Sequence, residues 1–262
     1  MTNDAATLVE LTRHIKARPT TVWGIISDAS RFSEWMAGAA RFEPHPGSPF
    51  RIEFPQFQTV IRGEVLECDE TALKLALSWG VEAGPQADTF PPGSSRLELS
   101  LFPDGNGTRV ELRHSSLPSG TETRHQEAGW RFHCSRLDLM ANRADLGNTL
   151  GPALDAWFAA WNETDPDARR ALLESCCSED VSFRDEWAEA SGRDLLSVHI
   201  GNTQHFVPGW SIATAGAAVV CRGEALVRWA ASGPEGRRTT GTNHVTVHPD
   251  GTITRVTGFA ES

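Results

Sequence analysis

The sequence predicts an α+β protein with two domains, and three observations support this. Its 262 residues exceed the about 100–150 residues of a usual single core, and 39 % of them are hydrophobic, which is enough for two cores. Each half contains its own set of strand patterns and helical patterns. Between the halves, a segment rich in Gly, Asn, Asp and Pro interrupts a helical pattern, so a short linker is expected near residues 143–148. The predicted domains are therefore residues 1–143 and 144–262.

The first half begins with an alternating strand, TLVELTRHI, and a helix that starts at Pro19. Five further strand patterns follow, joined by turn sequences such as PDGNG. A long amphipathic helix closes the half. Its packing face repeats at three- and four-residue spacing: Trp130, His133, Cys134, Leu137, and Met140 or Ala141. A long helix packed on one face of a sheet, in this order, is a helix-grip architecture.

The second half runs from helices to strands. Two helical patterns, LGPALDAWFAAWNE and PDARRALLESC, precede a third in GRDLLSVHIGNTQHF, and three alternating strands follow with turns at GPEG and PDG. Side chains two apart on a strand share a face, so one surface should be lined by Val227, Trp229, Asn243, Val245 and Val247. Helices packed across a bent antiparallel sheet enclose a cone, in which a small molecule would bind.

Both halves resemble known families. Four segments of the first half resemble the START-like superfamily, and more narrowly the Aha-type activators of the 90-kDa heat-shock chaperone ATPase: IKARPTTVWGIISDASRFSEWM, RGEVLECDETALKLALSW, LELSLFPDGNGTRVELRHSSL and GWRFHCSRLDLM. Three segments of the second half resemble the SnoaL-like branch of the nuclear transport factor 2-like superfamily, which has a curved, cystatin-like sheet and includes ketosteroid isomerases, polyketide cyclases and dehydratases: AWFAAWNETDPDARRALLE, EDVSFRDEWAEASGRDLLSVHI and GTNHVTVHPDGTITRVTGF. The first resemblance implies a ligand cavity between the long helix and the sheet.

Charge and composition exclude several classes of partner. The formal net charge is −10, and the 24 Lys and Arg residues are scattered, so binding to nucleic acid or to an anionic membrane is not expected. The N-terminus lacks the pattern of a signal peptide, and no apolar run reaches the about 18 residues that span a bilayer. We therefore expect a cytoplasmic protein.

The five cysteines have no metal-finger spacing, and we expect them to be reduced thiols. Adjacent Cys176 and Cys177 cannot readily form an ordinary disulfide. The first half also has no catalytic triad, phosphate-binding glycine loop or nucleotide fingerprint. No metal and no cofactor are predicted.

The isomerase resemblance implies that Asp185, in VSFRDEW, occupies the position of the proton-abstracting base. The alternative is a solvated turn residue, because Glu186 and Glu189 follow closely. The resemblance also places Trp157 and Asn243 at the positions of the oxyanion donors, which are a tyrosine and a protonated aspartic acid in the isomerases. Since the chain has no Tyr and neither residue reproduces those acidic donors, steroid isomerase activity is not expected.

Histidine and aromatic residues complete the predicted site residues. His199 and His205 would lie on different faces of a helix, so each is a candidate acid or base by itself rather than part of a joint metal site. The predicted ligand-binding residues are Trp35, Phe54, Trp79, Trp130 and His133 in the first domain and Trp157, Trp187 and Trp229 in the second. Ordinary core packing is the alternative for each of them, and His114 is as plausible as His133.

The leading hypothesis is a protein that binds a small hydrophobic molecule. One alternative is an isomerase, cyclase or dehydratase that acts in the C-terminal cone with Asp185 as base. Another is an interaction protein, either chaperone-associated or dimerising. A homodimer is expected because the outer face of the C-terminal sheet should be apolar, with Val220, Ala225, Ala230 and Val256 as candidates.

Overall fold

The computed structural model describes residues 7–118 and 123–261, and it divides into two compact units, Met1–Ala141 and Asn142–Ser262. Each unit contains helices and strands around its own cluster of buried apolar side chains, and no described residue belongs to both clusters. The predicted α+β class is confirmed. The exact boundary between residues 143 and 144 and independent folding of the two ranges stay predictions.

The first unit contains an eight-stranded antiparallel sheet. Its strands are β1 (Thr7–Ile15), β2 (Ala39–Arg41), β3 (Pro49–Phe54), β4 (Thr59–Asp69), β5 (Lys74–Trp79), β6 (Val81–Ala83), β7 (Ser95–Asp104) and β8 (Gly107–Leu117). The strand order is β1-β8-β7-β5-β4-β3-β2, with β6 paired to β4. Burial alternates along β7 and β8, as expected for strands with one face on the core.

Helices cover one face of this sheet. The first, α1 (Pro19–Ile26), has proline at its first position, and α2 (Ala29–Met36) is capped by Asp28, whose side chain accepts from the backbone N–H of Arg31 at 2.9 Å. The third, α3 (Thr123–Asn162), begins in this unit. Its buried residues here recur at three- and four-residue spacing: Trp130, Cys134, Leu137 and Ala141.

The second unit contains residues 142–162 of α3, two further helices and a seven-stranded sheet. The helices are α4 (Pro166–Cys176) and α5 (Arg193–Phe206). The strands are β9 (Cys177–Arg184), β10 (Glu189–Ser191), β11 (Ser211–Thr214), β12 (Val219–Cys221), β13 (Glu224–Ser232), β14 (Arg238–Val247) and β15 (Ile253–Glu261). The strand order is β10-β9-β15-β14-β13-β11, with β12 also paired to β13, and β9 is parallel to β15.

The expected linker at residues 143–148 is wrong, because this segment is helical and lies inside α3. Of the residues that suggested a break, Gly147, Asn148, Gly151 and Pro152 are exposed, whereas Asn142 and Asp145 are buried. The adjoining side of the helix buries Leu146, Leu150, Ala153, Leu154 and Trp157 at helical spacing. Burial of that face outweighs a cost of about 1 kcal/mol for each helical glycine and about 3 kcal/mol for proline.

The expectation that Ala225 and Val256 lie on an outer apolar face is also wrong. Their side chains are 1 % and 0 % exposed and belong to the core. Ala225 shares the inner face with Val227 two residues on, and Val256 lies opposite Val245 in the register of β14 and β15. Val220 and Ala230 are half-buried.

Candidate functional site

Four rings meet in the second unit where α3, β9 and α5 come together. Trp157 and Trp161 are one helical turn apart on α3, with ring centroids 6.1 Å apart. Phe183 on β9 lies 6.2 Å from Trp157 and 5.5 Å from Trp161. The imidazole of His199 on α5 lies 5.3 Å from Phe183 and 5.9 Å from Trp161, edge-on to the indole. We call these four residues the aromatic cluster.

Two nitrogens inside this cluster are buried, the Trp161 Nε1 and the His199 Nε2, and neither has a hydrogen-bond partner among residues 7–118 and 123–261. A buried polar group without a partner costs about 1–3 kcal/mol. Such groups are few in folded proteins. A ligand with a polar atom that reached these nitrogens would therefore recover free energy that ordinary core packing does not supply.

The sequence predicted His199 as a site residue but missed Trp161. The isomerase resemblance placed Trp157 at the donor position, and Trp157 is 1 % exposed in the core. The unpartnered indole N–H belongs to Trp161, one turn further along α3. The four-residue spacing of the two tryptophans was the available signal, since both side chains lie on one face of the helix.

Asp185 and Asn243 approach each other across the sheet. Asn243 on β14 is opposite Gly258 on β15, and Arg184 at the end of β9 is opposite Thr257. A Cβ atom built on Gly258 would lie 3.3 Å from the Asn243 Oδ1 and 3.5 Å from the Asp185 Cβ. Glycine at this position leaves room for both side chains.

The carboxylate of Asp185 also holds the turn between β9 and β10. Its Oδ1 accepts from the backbone N–H groups of Trp187 and Ala188, each at 2.8 Å. Its own backbone N–H donates to the Ala188 carbonyl at 3.0 Å. The indole of Trp187, a predicted ligand-binding residue, is 81 % exposed, so it does not shield Asp185 from solvent. The role of Asp185 as a base stays a prediction.

Trp229 and the remaining histidines occupy three different surroundings. The indole of Trp229 lies over Gly241, where a Cβ would come within 2.3 Å of the ring, so this glycine is required by the packing. His205 near the end of α5 is exposed. His244 lies on the face of β14 opposite to Asn243, where its Nε2 is 3.1 Å from the Glu224 carboxylate.

The predicted aromatic residues of the first unit are packed against each other. Trp35, Phe54, Trp79 and Trp130 are at most 8 % exposed and belong to its core cluster. The indole N–H of Trp35 donates to the backbone carbonyl of His133 at 2.7 Å. The Nδ1 of His133 is buried and, in the described part of the chain, has no partner. The tryptophans therefore pack as core residues, and their role in ligand binding stays a prediction.

A buried polar chain crosses this core. The indole N–H of Trp130 donates to the His114 Nδ1 at 3.0 Å, so the His114 proton is on Nε2, which donates to the Ser95 hydroxyl at 2.9 Å. The Ser95 hydroxyl in turn donates to the Trp79 carbonyl at 3.0 Å. Burial lowers the pKa of His114 to about 4, which keeps the imidazole neutral.

Two family models match this chain. The model for activator of Hsp90 ATPase homolog 1-like proteins matches residues 16–142, and the SnoaL-like domain model matches residues 154–256. The chain is an Aha1-like domain followed by a SnoaL-like domain. This confirms the two resemblances and their order along the chain.

Similar solved structures each cover about half of this chain. A candidate isomerase of the SnoaL-like family from Agrobacterium tumefaciens is 24 % identical, with a TM-score of 0.41, over 43 % of this chain and 97 % of that one. The Aha1 dimer from Colwellia psychrerythraea is 16 % identical, with a TM-score of 0.42, over 50 % and 93 %. CalU16 from Micromonospora echinospora is 24 % identical, with a TM-score of 0.41, over 50 % and 74 %. No curated protein matches the chain.

All five cysteines are free thiols. In the SnoaL-like domain, the Sγ atoms of the buried Cys176 and Cys177 are 3.6 Å apart. The hydrogen bond with Cys176, together with burial, raises the pKa of the Cys177 thiol. Within the described residues, no group of three or more His, Cys, Asp and Glu side chains is arranged to hold a metal ion. No helix in the same residues is both long and apolar enough to cross a membrane.

Proposed function

We propose that the SnoaL-like domain binds a small, mostly apolar molecule with a carbonyl group at the aromatic cluster. The observation that supports this most directly is the buried Trp161 indole N–H without a partner among the described residues. The ligand carbonyl accepts from that N–H, and the ligand body stacks on the rings of Phe183 and Trp157. Because the nitrogen is buried, binding requires movement of Trp161 or His199, both of which are half-buried.

Replacing Trp161 by phenylalanine tests this proposal, with 9-fluorenone and fluorene as probes. The two probes share a ring system, but fluorene lacks the carbonyl oxygen. Trp161→Phe keeps an aromatic ring and removes the donor, so it should weaken fluorenone binding about three- to tenfold and change fluorene binding much less. Isothermal titration calorimetry on the full chain measures both affinities.

Two control variants separate the hydrogen bond from packing. Trp157→Phe reduces ring volume in the same cluster and should affect both probes equally. Asp185→Asn keeps an oxygen for the turn and should leave fluorenone affinity unchanged. An equal loss of affinity for fluorenone and fluorene in Trp161→Phe would contradict the proposed donor.

Catalysis is the second candidate function, and the approach of Asp185 and Asn243 at Gly258 supports it. The Asp185 Oδ1 is engaged by the turn, so Oδ2 is the oxygen that would accept a proton from a carbon next to a ligand carbonyl. Asn243 would donate its amide N–H to the resulting enolate. Deuterium exchange into 2-tetralone that disappears in Asp185→Asn would favour this function over binding alone.

We also propose that the chain forms a homodimer through the outer face of the C-terminal sheet. Leu226 and Phe259 are 51 % and 57 % exposed on this face, beside a row of threonines on β14. Arg228 and Arg255 share the face with Glu224 and Glu261, so a second copy turned by a two-fold axis could pair opposite charges.

Leu226→Lys tests the dimer. In a two-fold symmetric contact, the lysines of both copies come close together and repel each other. The variant should therefore be monomeric where the parent chain is dimeric. Light scattering at micromolar concentration measures the molar mass. Thr254→Lys, a change elsewhere on β15, is the control. A monomer mass for the parent chain would exclude the dimer.

A further inference from the structure

A second candidate binding site lies on the surface of the C-terminal unit, outside the aromatic cluster. A groove of about 580 Å³ runs between residues 143–155 of α3 and the segment 214–220 that joins β11 to β12. Leu146, Leu150 and Leu154 line its α3 side, and Ala217, Ala218 and Val219 line the opposite side. None of the four residues of the aromatic cluster lines this groove. Its volume is within the range of small-molecule sites.

Two glycines on α3 keep this groove open. Gly147 and Gly151 line it, and both are exposed in the helix interior. Each glycine makes the helix less stable than alanine would at the same position. Neither is required by packing, because a Cβ atom on either would meet no atom within 4 Å. These are the glycines that suggested a linker, yet they leave the helix backbone accessible along the groove.

The two ends of the groove differ in charge. Arg143 lies at one end and Asp155 at the other, twelve positions along α3, or about 18 Å at the helical rise per residue. Both side chains are exposed. Arg143 forms no ion pair with any described residue, so its guanidinium is available to an anion. Asp155 would repel an anion and so favours one direction for a ligand with a charged head.

We propose that this groove binds a long-chain carboxylic acid. The carboxylate pairs with the Arg143 guanidinium, and the alkyl chain lies over Gly147 and Gly151 between the leucines of α3 and Val219. The positive charge of Arg143 fits the carboxylate of such a ligand. The apolar lining and the open helix surface at the two glycines fit its alkyl chain. Val219, whose side chain is 66 % exposed in the groove, would be covered on binding.

Titration of the full chain with octanoate, decanoate and dodecanoate below their micellar concentrations tests the proposal. Affinity should rise about two- to fourfold for each added methylene that lies in the groove. Arg143→Gln should lower decanoate affinity by up to about fivefold and leave the affinity for 1-decanol unchanged. Arg238→Gln, an exposed arginine of β14 in the same unit, is the matched control and should have no effect.

Gly147→Leu and Gly151→Leu fill the groove without a clash, because the space beside both Cα atoms is open. Both variants should lose decanoate binding at least tenfold while their melting temperature stays equal or rises. Unchanged decanoate affinity in both variants would overturn the proposal. So would a changed molar mass in these variants with decanoate affinity intact, since the groove would then be a contact between copies.

Discussion

Replacing Arg169 by methionine is expected to reduce the free energy of unfolding of the C-terminal unit by about 2–4 kcal/mol. Arg169 on α4 is 5 % exposed, yet it forms no ion pair with a carboxylate in the described part of the chain. Its Nη1 donates to the Glu163 carbonyl at 2.8 Å and to the Gln204 Oε1 at 3.0 Å. Its Nε donates to the Ser197 hydroxyl at 3.2 Å.

The position of the guanidinium explains how a buried cation is tolerated there. The Glu163 carbonyl immediately follows α3, and the carbonyl end of a helix carries partial negative charge. Ser197 and Gln204 both belong to α5, so one side chain joins three helices. Methionine fills a similar volume but supplies no donors, which leaves the acceptors on α5 buried without this partner.

Arg170→Met is the matched control for this prediction. The neighbouring arginine is half exposed, and its Nε lies 3.3 Å from the Asp194 carboxylate at the surface. Its replacement should cost no more than about 1 kcal/mol. Urea unfolding followed by circular dichroism compares the two variants. Equal stability of Arg169→Met and Arg170→Met would contradict the assigned role.

Arg169 also has a consequence for the candidate site, since it positions α5. His199 lies on α5 between Ser197 and Gln204, and Gln204 further donates to the Trp161 carbonyl at 2.9 Å. A shift of α5 would therefore separate His199 from Trp161. We expect the His199 ring resonances to change in Arg169→Met and to stay in place in Arg170→Met.

Local patterns predict the elements of this protein well because each element has one buried face. Burial alternates along β13 and β14 where the sequence alternates, and the apolar spacing of α3 predicts its packing face. The linker prediction failed because it did not take the buried face of the helix into account. Gly147 and Pro152 were interpreted by their residue type, whereas the buried leucines of the same segment stabilise the helix through it.

The candidate site was only partly predictable. Asp185 and Asn243 were named from a resemblance, and the structure brings them together at Gly258 through strand register. His199 was named from its place in a helical pattern. The spacing of the tryptophans indicates where Trp161 lies, but nothing in the sequence indicates that its indole N–H lacks an acceptor. Whether a buried N–H has a partner depends on side chains from β9 and α5, which are distant along the chain.

Acidification from pH 7 to pH 4.5 is expected to destabilise the Aha1-like domain strongly. Burial lowers the pKa of His114 to about 4. Burial also lowers the pKa of His133 to about 4, and the nearby Arg136 acts in the same direction, while a backbone hydrogen bond with Trp35 opposes the shift. The ordinary value is about 6.5, so between these values the unfolded chain binds more protons than the folded chain. Stability is therefore complete above about pH 6.5 and is lost as the pH falls toward 4.

The buried chain of hydrogen bonds adds a structural reason. Protonated His114 can no longer accept from the Trp130 indole, because both ring nitrogens then carry hydrogen. The loss should reach about 3 kcal/mol for His114, which is fully buried, and less for the half-buried His133. Urea unfolding of the full chain at several pH values, followed through the Trp130 indole N–H resonance, measures the slope.

His114→Gln isolates the contribution of this histidine from that of the acidic residues. The glutamine amide supplies one acceptor for the Trp130 indole and one donor for the Ser95 hydroxyl, but it does not titrate in this range. The slope of the free energy of unfolding against pH should be smaller in the variant by about 1.4 kcal/mol for each pH unit between pH 6 and 4.5, which corresponds to one proton. Parallel pH profiles for the parent chain and His114→Gln would show instead that the imidazole does not govern the acid sensitivity of this domain.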